Sequence, residues 1–172
     1  MNQGKIMEQA WRKAAKKVPG LYFQRMNDGT ASYSRGGEGS PVRFQQKNPY
    51  DCFMHYKGKL FLLELKHHKG ASLPFTAIRE QQLAHLAQAS VAYDDVIAGF
   101  VVMFADSGEC FFANGNAVAE FENTSERKSI PISWFRENAL GIPVRKLKTN
   151  WEYNVLEFVK LFDGGKNSQC CD

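Results

Sequence analysis

The order of segments along the chain predicts an α/β or α+β domain built around a mixed sheet: helix, strands, helix, strands, helices. Two observations carry that prediction. LFLLELK (60–66) and VIAGFVVMF (96–104) are nearly continuous apolar runs of strand length, as expected of central strands covered on both faces. Between them, AIREQQLAHLAQAS (77–90) repeats its apolar residues at helical spacing, with Ile78, Leu83 and Leu86 inward.

Taken in order, residues 4–18 read as a helix. Ile6, Met7, Ala10, Trp11, Ala14 and Ala15 recur at three- and four-residue intervals while Lys and Arg fill the other face. Pro19-Gly20 ends it, and 21–25 form a short strand. NDGTASYSRGGEGSP (27–41) collects Gly, Ser, Asp and Asn with almost no aliphatic residues and reads as a long loop. Residues 51–55 and 60–65 flank Tyr56-Lys57-Gly58-Lys59, a hairpin signal. After the helix at 77–90 come strands at 96–104 and 109–113, then two helices at 129–140 and 151–162 joined by a Pro-containing segment. Neither an internal repeat nor a second domain is evident, so a single domain over 1–162 is expected, with 163–172 (DGGKNSQCCD) a disordered tail.

Composition fits this size and class. The 172 residues are 44% hydrophobic and 13% aromatic, far from the composition of a chain unable to form a core. The formal net charge is +4, but it is unevenly spread. Residues 1–50 hold nine Lys or Arg against three acids, and residues 51–172 hold thirteen against fifteen. Four cysteines, Cys52, Cys110, Cys170 and Cys171, form no CxxC pair, which suits free thiols inside a cell. The first residues lack a signal-peptide apolar stretch, and the longest apolar run, 96–105, falls short of the ~20 residues that span a bilayer. A soluble, cytoplasmic protein is expected.

One constellation carries chemistry. Asp51 opens one strand of the hairpin, and Glu64 and Lys66 lie two residues apart on the other. Strand side chains alternate, so Glu64 and Lys66 share a face while Leu63 and Leu65 take the opposite one, and hairpin pairing can bring Asp51 beside them. Two carboxylates plus the Leu65 carbonyl would make the oxygen-rich site that hard cations such as Mg²⁺ prefer, completed by water and substrate phosphate. Lys66 beside it could orient or deprotonate a water and stabilise developing charge. E-x-K on a solvated strand is usually an ion pair; on a strand as apolar as Phe61, Leu62, Leu63 and Leu65 make this one, it points to a site. Zinc is disfavoured, because no cysteine completes a set with His67, His68 and His85, and adjacent histidines on a strand diverge.

These residues sit in a wider pattern. Asp51, Tyr56-Lys57-Gly58 and Glu64-Leu65-Lys66 keep the order and spacing of a D…YKG…ExK arrangement. Lys69, Ser72-Leu73-Pro74, Gln82 with His85, Arg127-Lys128-Ser129-Ile130 and, upstream, Asn2, Gly4, Lys5 and Glu8 continue it. In these motifs the sequence resembles the RecU family of Holliday junction resolvases, a branch of the PD-(D/E)xK nuclease superfamily, from the N-terminus to about residue 162. The resemblance implies a restriction-endonuclease-like fold, a mixed central sheet flanked by helices. It implies that Asp51 and Glu64 bind Mg²⁺, with Mn²⁺ a possible substitute, and that Lys66 positions the attacking water. Gln82 would support that network or contact the scissile phosphate; an ordinary polar helix face is the other reading. Glu8 would be a further acid reaching the metal, or else an i,i+4 partner of Arg12. Lys5 and Lys69 would contact phosphate.

The resemblance also carries a departure. Where RecU-like enzymes have a stalk entering the centre of a four-way junction, 25–47 looks shorter, a Gly- and Ser-rich strip with Arg25, Arg35, Arg43 and Lys47 against Asp28 and Glu38. Such a strip suits phosphate contact without base readout, and Tyr33 and Phe44 could stack on unpaired bases. The function implied is Mg²⁺-dependent resolution of branched DNA in recombination and repair, by a homodimer leaving 5′-phosphate ends, with a recombinase or branch-migration protein as a possible partner. Two alternatives stay open: a nuclease of this fold acting on flaps, forks or duplex, and a non-catalytic branched-DNA-binding modulator.

Overall fold

A computed structural model of the chain describes residues 2–26 and 48–163. Its first helix, α1 (Gln3–Ala15), is capped by the Asn2 side chain, which accepts from the Gly4 N–H at 3.0 Å, and buries Met7, Trp11 and Ala15. It stops three residues short of the expected Val18, because the approach to Pro19 disfavours helical backbone and Gly20 turns the chain at φ +73°.

Six strands form the main sheet: β1 (Tyr22–Arg25), β2 (Cys52–Tyr56), β3 (Lys59–His68), β5 (Val96–Phe104), β6 (Glu109–Asn114) and β8 (Leu140–Ile142), in spatial order β1-β2-β3-β5-β6-β8. Only β3 and β5 run parallel in it, joined by a crossover through α2 (Glu80–Ala92); every other neighbouring pair is antiparallel. Two small ribbons lie outside the sheet, β4 (Ser72–Pro74) with β7 (Ser129–Pro131), and β9 (Val144–Lys146) with β10 (Trp151–Tyr153). This is the mixed sheet flanked by helices that the sequence predicts.

The β2–β3 connection is built from its two turn residues. Lys57 (φ +46°) and Gly58 (φ +79°) are both left-handed, the type I′ geometry whose twist matches that of the flanking strands. The turn fixes the register Cys52↔Leu63 and Tyr56↔Lys59, and one further step along it sets Asp51 opposite Glu64.

Two cores lie on the two faces of the sheet. Phe61, Leu63 and Leu65 pack with Met7 and Trp11 of α1 and with Phe158 of α5 (Val155–Lys160). Ala98, Phe100 and Val102 pack on the other side with Leu83 and Leu86 of α2, Val118 of α3 (Gly115–Thr124) and Phe135 of α4 (Ile132–Asn138). Alternation along β3 therefore turns Glu64 and Lys66 toward α2, away from α1.

Helix α3 meets α2 at Gly115. A Cβ there would lie 2.5 Å from the backbone carbonyl of Leu86 and 2.7 Å from the Ala87 amide nitrogen. Ala is ordinarily the better helix residue by ~1 kcal/mol, yet here it must push apart two backbones. Gly115→Ala should lower the urea-denaturation midpoint by the equivalent of ~1–3 kcal/mol; an unchanged or raised midpoint would show that the two helices are not in this contact.

Beyond residue 114 the expected helices are revised. The segment 129–140 divides into β7, α4 and the start of β8, and 151–162 divides into β10 and α5, while α3 was not expected. Among the described residues no helix is long and apolar enough to cross a membrane.

Candidate active site

The chemistry-bearing residues meet where β2 begins, opposite the second half of β3. The backbone ties Asp51 in place: its N–H donates to the Leu63 carbonyl at 3.1 Å, and its carboxylate accepts from the Leu65 N–H at 2.8 Å. Glu64 is only 3% exposed. Its Oε1 accepts from Lys66 Nζ at 2.8 Å, an ion pair with both side chains largely shielded, while its Oε2 is buried with no hydrogen-bond partner among the described residues. Gln82 comes down from the first turn of α2, also buried, with its Oε1 likewise unpartnered.

This environment changes the acid–base character of Glu64. Burial, and after it the Asp51 charge, push its carboxyl up from the ordinary 4.5 to about 7; the Lys66 ammonium and, more weakly, the Gln82 amide oppose the shift. A buried carboxylate oxygen without a donor costs ~1–3 kcal/mol or more, and two carboxylates side by side repel. A divalent cation would relieve both. The residues thus fit such an ion, Asp51 and Glu64 being the carboxylates able to hold it. Among the described residues no group of three or more His, Cys, Asp or Glu side chains converges. Two carboxylates are nevertheless the usual protein share of a Mg²⁺ site that is completed by water and phosphate.

The remaining expected site residues are placed apart from this group. Glu8, on α1 and hence on the other side of the sheet, is held by Arg25, whose Nε and Nη2 lie 2.9 and 2.8 Å from its Oε2. Its partner is therefore Arg25 from β1 rather than the Arg12 expected one turn along. Its charge is still felt behind the site: burial, Asp51, Glu64 and lastly Glu8 all raise the buried Cys52 thiol. Lys5 is exposed and lines a cleft of about 200 Å³ with Glu8, Gln9, Arg12 and Arg25. Leu65 is buried in the core on the α1 side, and Lys69 is exposed just after β3. Arg35, Arg43 and Lys47, with Tyr33, Phe44 and the loop at 27–41, lie outside the described residues, as does the tail from 164 with Cys170 and Cys171. The histidines diverge as expected: His67 lines a cleft beside α1, His68 stacks edge-on against Phe104, and His85 is exposed on α2.

Sequence reasoning missed the Glu8–Arg25 pair, since the partners are 17 positions apart on different elements. It also missed the cations of β9 and the loop after it, which stand beside α1.

A prophage-derived uncharacterized protein of Bacillus subtilis, YotM, is 30% identical over 167 residues, covering 88% of this chain and 82% of its own. The Holliday junction resolvase RecU of Ureaplasma parvum is 24% identical over 102 residues, 59% of either chain. The family model for recombination protein U matches residues 32–160, a span that takes in Asp51, Glu64, Lys66 and Gln82 together, and the chain belongs to the RecU family.

Proposed function

We propose that the chain is a Mg²⁺-dependent endonuclease that resolves four-way DNA junctions in recombination and repair. The observation that carries this is the buried Glu64 beside the half-buried Asp51, with Lys66 Nζ 2.8 Å from Glu64, on a strand that otherwise buries only apolar residues. An acid pair so placed weakens the fold on its own, and a polyanionic substrate would only add to the repulsion; a cation shared between the acids and a phosphate reverses both effects. Asp51 and Glu64, with the Leu65 carbonyl, would hold Mg²⁺, or Mn²⁺ in its place. Bound there, the ion supplies Lewis-acid polarisation of the phosphoryl oxygens.

The chain's own groups do the rest. Lys66, charged and largely shielded from solvent, donates hydrogen bonds toward the attacking water and the charge that develops at phosphorus. Gln82, whose Oε1 has no partner among the described residues, can accept from that water and hold its lone pair toward phosphorus. Attack is direct. The water oxygen bonds to phosphorus as the bond to the 3′ oxygen breaks; the proton the water gives up passes to solvent and the leaving oxygen takes one from solvent, leaving a 3′-hydroxyl and a 5′-phosphate, with no covalent enzyme intermediate. Cutting both strands of a symmetric junction requires two such sites, so the working form is a homodimer, acting in the cytoplasm beside recombinase or branch-migration proteins. Lys5, Lys69 and the basic strip from Arg25 to Lys47 would contact phosphates, and Glu8 would act at most from behind the site.

The test is a labelled four-way junction incubated with protein and Mg²⁺, with linear duplex as competitor. Wild type should cut the junction. Asp51→Asn and Lys66→Ala, confirmed folded by circular dichroism, should each lower the rate at least about a hundredfold. No cleavage by wild type, or undiminished cleavage by either variant, sinks the assignment; cleavage abolished equally by linear duplex makes it a nuclease of another substrate.

A further inference from the structure

Helix α1 lies on the sheet through Met7, Trp11 and Ala15, which leaves it two flanks. The flank carrying Lys13, with Lys17 just past the end of the helix, faces the β9–β10 ribbon across a cleft of about 540 Å³, whose opposite wall includes Arg145, Trp151 and Glu152. A smaller cleft of about 120 Å³ continues past the tip of the ribbon, where Lys146 and Lys148 stand with Gln3 and His67. Among the described residues lining these two clefts, five cations from two distant parts of the chain stand with a single acid, Glu152. That acid is already engaged: Glu152 accepts from Arg145 Nη2 at 2.5 Å and from Lys17 Nζ at 3.4 Å. Arg145 first and Lys17 next hold its carboxyl below the ordinary carboxylate range, so it is ionised at neutral pH and pins the ribbon to α1. Lys146 lies over the Trp151 ring, 5.7 Å from its centroid, which orients its stem along the surface.

We infer that the α1–β9–β10 surface is a second DNA contact, gripping the phosphate backbone of a duplex arm through Lys13, Lys17, Arg145, Lys146 and Lys148. The cations are strung along two adjoining clefts and a ribbon tip instead of converging on a point. That arrangement suits a line of charge, and duplex DNA carries one negative charge per ~1.7 Å of axis. The surface borders the catalytic strand from the opposite face: His67, in the smaller cleft, follows Lys66 on β3 and points to the α1 side, while Glu64 and Lys66 face α2. A duplex arm leaving the catalytic face would have to pass around the end of β3 to reach the ribbon on the α1 side. Contacts of this kind fix an arm in place and read no sequence. The inference rests on the DNA reading of the active site and adds a surface that neither the catalytic group nor the 25–47 strip contains.

The experiment measures binding of labelled four-way junction and of linear duplex, in EDTA, over a series of salt concentrations. The variant is Lys13→Gln/Lys146→Gln/Lys148→Gln, three exposed side chains of which none is in an ion pair with Glu152. The control, Lys57→Gln/Lys59→Gln/Lys160→Gln, removes the same charge around the β2–β3 turn and the end of α5, at the far end of β3 from Lys66. On both DNAs the variant should bind more than tenfold more weakly at low salt, and its log K against log salt slope should be shallower by roughly 2–3, the loss of three backbone contacts. The control should keep the wild-type slope. An unchanged slope in the variant, or an equal loss in the control, overturns the inference. Cleavage of the junction by wild type with Mg²⁺ is scored separately. If the variant loses slope while wild type never cuts, the nuclease reading falls and the surface stands; if wild type cuts and the variant binds normally, only the surface falls.

Discussion

Glu64→Gln is expected to end junction cleavage and at the same time to make the protein more stable above pH 7. Gln has the shape of a protonated Glu and keeps an acceptor for Lys66 Nζ, so the substitution is close to a permanent protonation of this side chain. The folded protein raises the Glu64 carboxyl to about 7, mainly by burial and next by the Asp51 charge, whereas the unfolded chain keeps it near 4.5. Between those values the native state binds more protons than the unfolded one, so stability falls as pH rises through this window and levels off above it. Below about pH 4.5 the group is neutral in both states and exerts no penalty. At one pKa unit per 1.36 kcal/mol, the cost of ionised Glu64 at pH 8 is on the order of 3 kcal/mol, and Gln removes it. Urea denaturation from pH 4.5 to 8 checks this: the wild type should lose stability relative to Glu64→Gln across the window. Added Mg²⁺ should raise the melting temperature of the wild type at pH 8 and leave that of Glu64→Gln nearly unmoved, because only a ligand of the native state stabilises it. A variant less stable than wild type at pH 8, or an inactive variant that still responds to Mg²⁺ as wild type does, would remove Glu64 from the metal site.

A side chain that weakens its own fold is legible in the sequence only because its strand is otherwise so apolar. Phe61, Leu62, Leu63 and Leu65 announce a buried strand, and Glu64 breaks the pattern on the face shared with Lys66. The turn residues Lys57 and Gly58 fix the hairpin register, and with it the position of Asp51, from local chemistry alone. Beyond residue 114 local chemistry is weaker. GNAVAEFENT has one deeply buried aliphatic residue, Val118, and starts at a glycine, so its helix is set by packing against Leu86 and Ala87 and not by periodicity. Leu140 to Ile142 and Trp151 to Tyr153 are three-residue strands, too short to show an alternation; each is held by a partner remote from it in sequence or by a ribbon turn. Charge shows the same limit. Lys13 and Lys17 read as one face of a solvated helix, and Arg145 to Lys148 as a basic connector; only the tertiary fold sets them side by side. Two of the nine cations in residues 1–50, Lys13 and Lys17, thus stand beside cations from a stretch where acids outnumber bases.

Replacing Phe158 by Ala should cost about 4 kcal/mol, the expected range for deleting a buried aromatic side chain being ~3–5 kcal/mol. Phe158 is fully buried, and its ring meets those of Trp11 at 5.7 Å, Phe61 at 5.6 Å, Phe112 at 5.4 Å and Phe162 at 5.6 Å. Through it α5, only one and a half turns long, is joined to α1, β3 and β6; the helix itself is started by Asn154, which accepts from the Glu157 N–H at 3.1 Å. A helix this short is marginal alone, so losing the ring releases the helix and opens one whole face of the sheet. Against a domain stability of ~5–15 kcal/mol the loss is large, equivalent to roughly 10 °C or more in melting temperature for a chain of this size. Unfolding should remain a single transition, since the core that Phe158 fills is continuous from α1 to β10. Phe158→Leu, which keeps most of the volume, should cost much less. Measured calorimetrically, a loss below about 1 kcal/mol, or a separate early transition for the C-terminal segment, would show that α5 is an appendage and not part of the core. Cleavage per folded molecule, read well below the midpoint, should hold, because Phe158 packs against the face of β3 that carries Leu63 and Leu65 while Glu64 and Lys66 face α2. A fall in rate without a fall in stability would mean that the catalytic face is positioned through the sheet from behind.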